Sequence, residues 1–521
     1  MIGSIAHLVR NLRTGFVLAR EGALSLVDAS VLPPGARLGL RIARLVERRD
    51  AGTGATRLSA ALTRLGPSYV KFGQFLATRP DIVGVQAARD LESLQDRMPP
   101  FPRAEAEATI EAALGRPVDA VFSSFSDPVA AASIAQVHKA VTARDGRVLA
   151  IKVIRPGVRE RFARDLQAMR FSARIAERRL PEARRLKPTG TVEILARSVA
   201  VETDLRLEAA ALSELAENTA DDTDFRVPKP DWELTSRDIL ATEWIDGIPL
   251  HRLDAIEAAG HDRPALARNL IQSFLKQAIR DGFFHADMHP GNLMVDAEGR
   301  LVAVDTGIMG RLGLKERRFL AEILLGFILR DYRRVAMVHF EAGYVPPSHS
   351  VEDFAQALRA IGEPIHDRRA DEISMAKLLT LLFEITALFD MTTRTELIML
   401  QKTMVVVEGV ARSLDPKLNI WAAAEPVARG WIERHLGPIG RVEQAGRGLA
   451  DLARVLADAP EMAQRAERIL TKLETVTDRS LQLEHDSITG IGRRPARALG
   501  WIAWGLWVIV ALLLIGIASG F

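Results

Sequence analysis

Between His285 and Gly307 the chain reads HADMHPGNLMVDAEGRLVAVDTG, and three of its polar residues, Asp287, Asn292 and Asp305, stand among apolar neighbours. A polar side chain in such surroundings is costly unless it has partners or a task. The residue types suit magnesium and phosphate chemistry. Mg2+ prefers hard oxygen donors, which the amide oxygen of Asn292 and the carboxylate of Asp305 can supply, leaving Asp287 to orient or deprotonate an attacking hydroxyl or water. His285 and His289 flank Asp287. With no third imidazole nearby they read as residues bracing the loop rather than as transition-metal ligands.

These side chains need elements to hold them. A turn at Asp296–Gly299 predicts a short hairpin that delivers Asp305 at the end of a strand over 301–304. Four residues separate Asp287 from Asn292, as in a kinase catalytic loop. Upstream, Lys152 lies in the apolar strand pattern VLAIKVIRP and needs a partner, for which Glu208 in VETDLRLEAAALSEL is the candidate. A phosphate-cradling loop is expected before Lys152. There the sequence offers PVAAASIAQVH, so Ala130, Ala131, Ala132, Ser133, Ile134, Ala135, Gln136, Val137 and His138 replace a glycine-rich turn. Alanine restricts φ and adds methyl groups where glycine lets backbone amides close on phosphate, so the nucleotide is held differently.

Taken together, these features resemble the UbiB-type members of the ADCK family of atypical, kinase-like proteins. The family's marks read here as the alanine-rich loop Ala130 to Ser133, a KxGQ motif Lys71-Phe72-Gly73-Gln74, an ExD motif Glu202-Thr203-Asp204, the strand lysine Lys152, HxDxHPGN from His285 to Asn292, and a DFG-like Asp305-Thr306-Gly307. The resemblance implies an α+β, protein-kinase-like bilobal fold and a site for ATP or ADP with Mg2+. It also implies that the KxGQ helix folds over that site, with Lys71 facing Glu202 and Asp204, Gln74 beside them, and Lys152 paired with Glu208. Such a helix occludes the groove a peptide substrate would need. Ala286 stands where typical protein kinases have an arginine that grips a phosphorylated activation loop, and Thr306 replaces the usual phenylalanine.

The whole chain of 521 residues has room for several domains. Lys and Arg total 69 against 66 Asp and Glu, a net charge of +3, so no broad polyanion-binding face and no nucleic-acid partner are expected. The absence of cysteine excludes disulfide scaffolds, thiolate metal sites and thiol nucleophiles. No dinucleotide fingerprint is present either. Changes of hydrophobic period divide the chain into a helical N-terminal extension (1–115), a small kinase-like lobe with a helical insertion (116–247), a helical large lobe (248–440), a charged helical stalk (441–497) and a terminal apolar segment (498–521). The small lobe should contain a hairpin turning at Arg144–Arg147 and a second strand pair around Asp238–Trp244.

Residues 498–521 are 24 positions without a charge, headed by Trp501, Trp504 and Trp507 and preceded by Arg493, Arg494 and Arg497. At about 1.5 Å per residue a helix of that length spans roughly 36 Å, enough for a bilayer core. A single C-terminal span in the inner membrane with the catalytic part in the cytoplasm is the expectation. The resemblance implies further that the protein is an ATPase supporting ubiquinone biosynthesis, with membrane lipids, polyprenylated quinone precursors and the enzymes of that pathway as partners. The alternatives are a kinase for a small molecule or lipid, and a non-catalytic, nucleotide-binding lipid scaffold.

Overall fold

In the computed structural model, residues 2–23, 45–48, 54–77, 98–179, 187–364 and 395–436 are described, with Leu91, Ile385 and 388–391. The stalk and the apolar segment 498–521 lie outside the described residues. Among the described residues no helix is long and apolar enough to cross a membrane.

Three helices come first: α1 (Ile2–Arg20), α2 (Gly54–Leu65) and α3 (Pro67–Ala77). Proline at the first position of α3 loses no helical hydrogen bond there. The KxGQ residues lie on α3. Helix α4 (Arg103–Leu114) closes on Gly115, whose φ of 66° suits the left-handed cap, and α5 (Val118–Val121) leads into the first sheet.

That sheet comprises β1 (Phe122–Ala131), β2 (Ala135–Thr142) and β3 (Val148–Ile154), joined after three helices by a later strand. The helices are α6 (Val158–Arg179), α7 (Pro188–Glu202) and α8 (Leu205–Asn218). Two-residue periodicity splits β3 cleanly. Leu149, Ile151 and Val153 pack with Phe101, Ile110 and Val121 beneath α4 and α5, whereas Ile154 joins Ala135 and Leu240 in the main core with residues of α6 to α8. Lys152 belongs to the second face.

The short β4 (Phe225–Arg226) precedes β5 (Ile239–Glu243) and β6 (Gly247–Pro249). The expected strand pair around Asp238–Trp244 is not a pair: β5 completes the first sheet beside β3 in the antiparallel order β1-β2-β3-β5, and β6 turns away into another sheet. Helices α9 (Leu253–Ala258) and α10 (Arg263–Leu275) follow, and α10 runs into a π-helical segment, Lys276–Asp281. Gly282, at φ +71°, ends it; a Cβ there would stand 2.6 Å from the Leu312 carbonyl oxygen, so the turn into the next strand requires glycine.

Strands β7 (Phe283–His285), β8 (Leu293–Asp296), β9 (Leu301–Ala303) and β10 (Met309–Arg311) then build the centre of the molecule. The hairpin at Asp296–Gly299 forms as read, and its strands lie in a sheet of order β4-β9-β8-β6; β7 pairs with β10. The remaining helices are α11 (Leu314–Ile328), α12 (Tyr332–Glu341), α13 (Val351–Gly362), α14 (Thr395–Leu414) and α15 (Ile420–Leu436). Val407 and Ala411 of α14 and Trp431 of α15 pack with Leu270, Phe274 and Ile279, which places the two strand pairs of the centre on a helical floor.

Candidate functional site

Lys152 is the hub. Its Nζ donates to Glu208 Oε1 at 2.7 Å and to Asp305 Oδ2 at 3.1 Å, so one cation from β3 joins a carboxylate of α8 to the carboxylate after β9. Burial works against the ammonium, but the two carboxylates more than offset it and hold Lys152 protonated, well above its ordinary range. Burial likewise opposes ionisation of Asp305; Lys152 and the Gly307 N–H, which donates to Oδ1 at 2.8 Å, outweigh it and keep this carboxyl far below the usual carboxylate range. Burial pushes Glu208 up, against the pull of Lys152.

Asp287 and Asn292 come from the loop between β7 and β8. The Val304 N–H donates to the Asn292 carbonyl at 2.9 Å, and Leu293 pairs with Ala303, so Asn292 and Asp305 sit at the same end of the β8–β9 hairpin. Asn292 Nδ2 is turned toward Asp287, donating to its backbone oxygen at 3.1 Å and approaching Oδ2 at 3.4 Å. That orientation commits the amide nitrogen and leaves Oδ1 as the donor a cation needs. Asp287 itself is 37% exposed, suited to meet something entering from solvent. Its N–H donates to His285 Nδ1 at 3.0 Å, and the Gly291 N–H donates to His289 Nδ1 at 2.9 Å. Both histidines therefore brace the loop, as their sequence context suggested. Burial lowers the pKa of His285 and keeps it neutral, the state in which Nδ1 accepts.

Helix α3 packs against α2, α6 and α7. Lys71 Nζ is 2.6 Å from Glu202 Oε2, with side chains only 11% and 13% exposed, and Gln74 is half-buried three positions further along the helix. Asp204 departs from the expectation that it would face Lys71 alongside Glu202. It caps the N-terminus of α8 by accepting from the Arg206 N–H, and it pairs with the Arg206 guanidinium at 2.7 Å. The physical reason is local: an aspartate before a helix satisfies an orphan N–H there. The ExD motif thus does two jobs, clamping α3 through Glu202 and anchoring the helix that carries Glu208 through Asp204.

The alanine-rich segment divides. Ala130 is exposed and Ala131 and Ala132 are half-buried at the β1–β2 tip, while Ser133 is buried and Ile134 and Ala135 enter the main core. Val137 stands directly across from Lys152 and shares its face. Gln136 and His138, read from the sequence as nucleotide-binding residues, point from the opposite face of the sheet. There Gln136 exchanges bonds of 3.0 and 3.3 Å with the backbone of Phe101 and lies 2.9 Å from His138 Nε2, while His138 Nδ1 bonds the Ser126 carbonyl at 2.8 Å. Their task is to fasten the segment before α4 to the sheet. Thr306 is buried, its hydroxyl 3.5 Å from the Glu208 backbone oxygen, so the residue in the phenylalanine position of the DFG-like triplet packs against α8.

A strand lysine bound to a helix carboxylate, a loop aspartate and asparagine, and an aspartate after a hairpin define a kinase-like protein. Residues 93–339 match the ABC1 atypical kinase-like domain and residues 358–419 the UbiB helical domain. A relative described as "Probable protein kinase UbiB", from Marinobacter nauticus, is 37% identical over 478 residues, 90% of this chain and 86% of that one. The chain therefore belongs to the UbiB-type ABC1 atypical kinase-like family. Among solved structures, the erythromycin complex of Rv3197 from Mycobacterium tuberculosis matches with a TM-score of 0.50 and 26% identity, over 72% of this chain and 95% of that one.

Proposed function

We propose that this protein binds Mg-ATP in the cleft around Lys152 and turns it over as an atypical kinase-like ATPase. The observation that carries the reading is the single cluster formed by Lys152, Glu208 and Asp305 opposite Asp287 and Asn292. Lys152 would hold the nucleotide phosphates, and Val137 and the alanine-rich tip at Ala131 and Ala132 would border them. Asn292 Oδ1 and the Asp305 carboxylate fit Mg2+. Both are hard oxygen donors, of the kind that hold an ion completed by phosphate and water. When bound, the ion neutralises charge that develops on the phosphates. Asp287 orients the attacking hydroxyl or water and takes its proton.

The half-buried Lys71–Glu202 pair ties α3 to the end of α7; a helix so held would cover the cleft, as the family resemblance implies, and would disfavour a peptide as phosphate acceptor. The UbiB relationship supports a role in ubiquinone biosynthesis, on or beside polyprenylated lipid intermediates or the enzymes that modify them. The apolar segment 498–521 supports attachment of the protein to the inner membrane with its catalytic part in the cytoplasm.

Purified full-length protein should release phosphate from ATP in the presence of Mg2+, and nucleotide should raise its melting temperature. In Asp305→Asn the nucleotide-induced shift should vanish with the fold intact, because a neutral amide does not replace a carboxylate that neutralises a divalent ion. Equal shifts in both proteins would remove Asp305 from the site. Deletion of residues 498–521 should move the protein to the soluble fraction; retention on membranes through a high-salt wash would place the anchor elsewhere.

A further inference from the structure

Thr403 lies on α14, 117 residues from the catalytic loop in sequence, yet its Oγ1 is 2.9 Å from the Ala286 carbonyl oxygen, and the residue is 1% exposed. The Ala286 carbonyl and the Asp287 N–H belong to one peptide unit, which is planar. One edge of that plane accepts from Thr403; the other donates to His285 Nδ1 at 3.0 Å. The Ala286 N–H is held as well, by the Ile308 carbonyl at 3.0 Å, just past Asp305-Thr306-Gly307. The backbone entering Asp287 is therefore clamped from three directions, and only one of the clamps comes from outside the two central strand pairs.

We propose that Thr403 is a positioning residue for Asp287, through which α14 sets the orientation of the catalytic loop. Alanine at 286 offers the rest of the molecule no side-chain handle, so the backbone carbonyl is the point at which a distant element grips the loop. The grip is adjustable. The threonine hydroxyl has a single proton, and its second neighbour is the Met399 carbonyl of its own helix at 2.8 Å. A small shift of α14 decides which carbonyl receives the proton. Because α14 lies within the UbiB helical domain match, the helical region gains a direct line to the reacting end of the cleft.

The effect on turnover rests on the reading of Asp287 given above, so the test has one arm that depends on it and one that does not. In the full-length protein, Thr403→Val keeps the shape and removes the proton. Hydrogen exchange of the amides at 286–288 should then accelerate about tenfold or more relative to wild type, with exchange in β3 and α10 unchanged. Mg-ATP turnover should fall about tenfold or more, with nucleotide affinity within about twofold, since a misplaced catalytic group costs rate rather than binding. Thr403→Ser should recover both. If the valine variant does not fold, Thr403→Ala, which adds no bulk, replaces it in each measurement. Unchanged exchange at 286–288 overturns the clamp. Faster exchange with wild-type turnover overturns the positioning role, as does a loss of affinity in step with turnover that serine fails to repair. If wild type itself does not turn over ATP, the proposed function fails, while the exchange arm still decides whether Thr403 holds the loop.

Discussion

Asp287→Asn should lower Mg-ATP turnover by about a hundredfold to ten-thousandfold while leaving nucleotide affinity within about threefold of wild type. The separation follows from where the side chain sits. Asp287 is 37% exposed, and its nearest partners are a 3.4 Å approach from Asn292 Nδ2 and the His289 ring 3.8 Å away. Neither is a buried cation that the substitution would strand, so stability should change by about 1 kcal/mol or less. The amide keeps the shape and loses the basic oxygen that takes a proton from the attacking group. Single-turnover hydrolysis and calorimetric titration with nucleotide read the two quantities separately. Equal losses in rate and affinity would make Asp287 a binding residue, and an unchanged rate would remove it from the chemistry.

The parts of this site that were legible in the sequence are those whose geometry is set within a few residues. The β8–β9 hairpin could be read because a turn with Gly299 separates two short apolar runs, and it brings Asn292 and Asp305 together without help from distant segments. Glu208 was legible as the partner of Lys152 through the family resemblance, and the 2.7 Å contact agrees. The motif that Asp204 shares with Glu202 points it at Lys71, although its position before an apolar helical stretch is also that of an N-cap. Proximity in sequence alone groups Gln136 and His138 with the phosphate loop. Alternation along β2 separates them from Val137 by one face, but the partner that explains them, Phe101, is 35 residues upstream of Gln136 and carries no motif. The divergence of β5 and β6 into different sheets was equally invisible, since strand patterns show direction of burial and not the identity of neighbours. Thr403 reads in sequence as one more helical threonine.

The second large effect is expected at Lys152. Lys152→Met keeps most of the side-chain volume and removes the cation between Glu208 and Asp305, whose side chains are 8% and 41% exposed. Breaking a buried pair by deleting one partner typically costs about 3–5 kcal/mol because the other charge stays behind. Asp305 has access to solvent, so the lower end, about 3 kcal/mol near neutral pH, is the expected loss, together with a loss of nucleotide affinity of tenfold or more. The dependence on pH identifies the cause. In wild type the depressed pKa of Asp305 means that its contribution is present above the ordinary carboxylate pKa, near about 3.9, and is lost as the pH falls through its folded value. In the variant that contribution is gone, and burial acts on Glu208 unopposed. A carboxyl with a raised pKa favours the folded state fully only below its ordinary value, near about 4.3, and withdraws that help as the pH rises through the folded one. The stability difference between wild type and Lys152→Met should therefore be larger at pH 8 than at pH 5, and adding Glu208→Gln should recover part of it at pH 8. Denaturant titrations at the two pH values make the comparison. A difference below about 1 kcal/mol at both would show that water screens the cluster as it screens a surface pair.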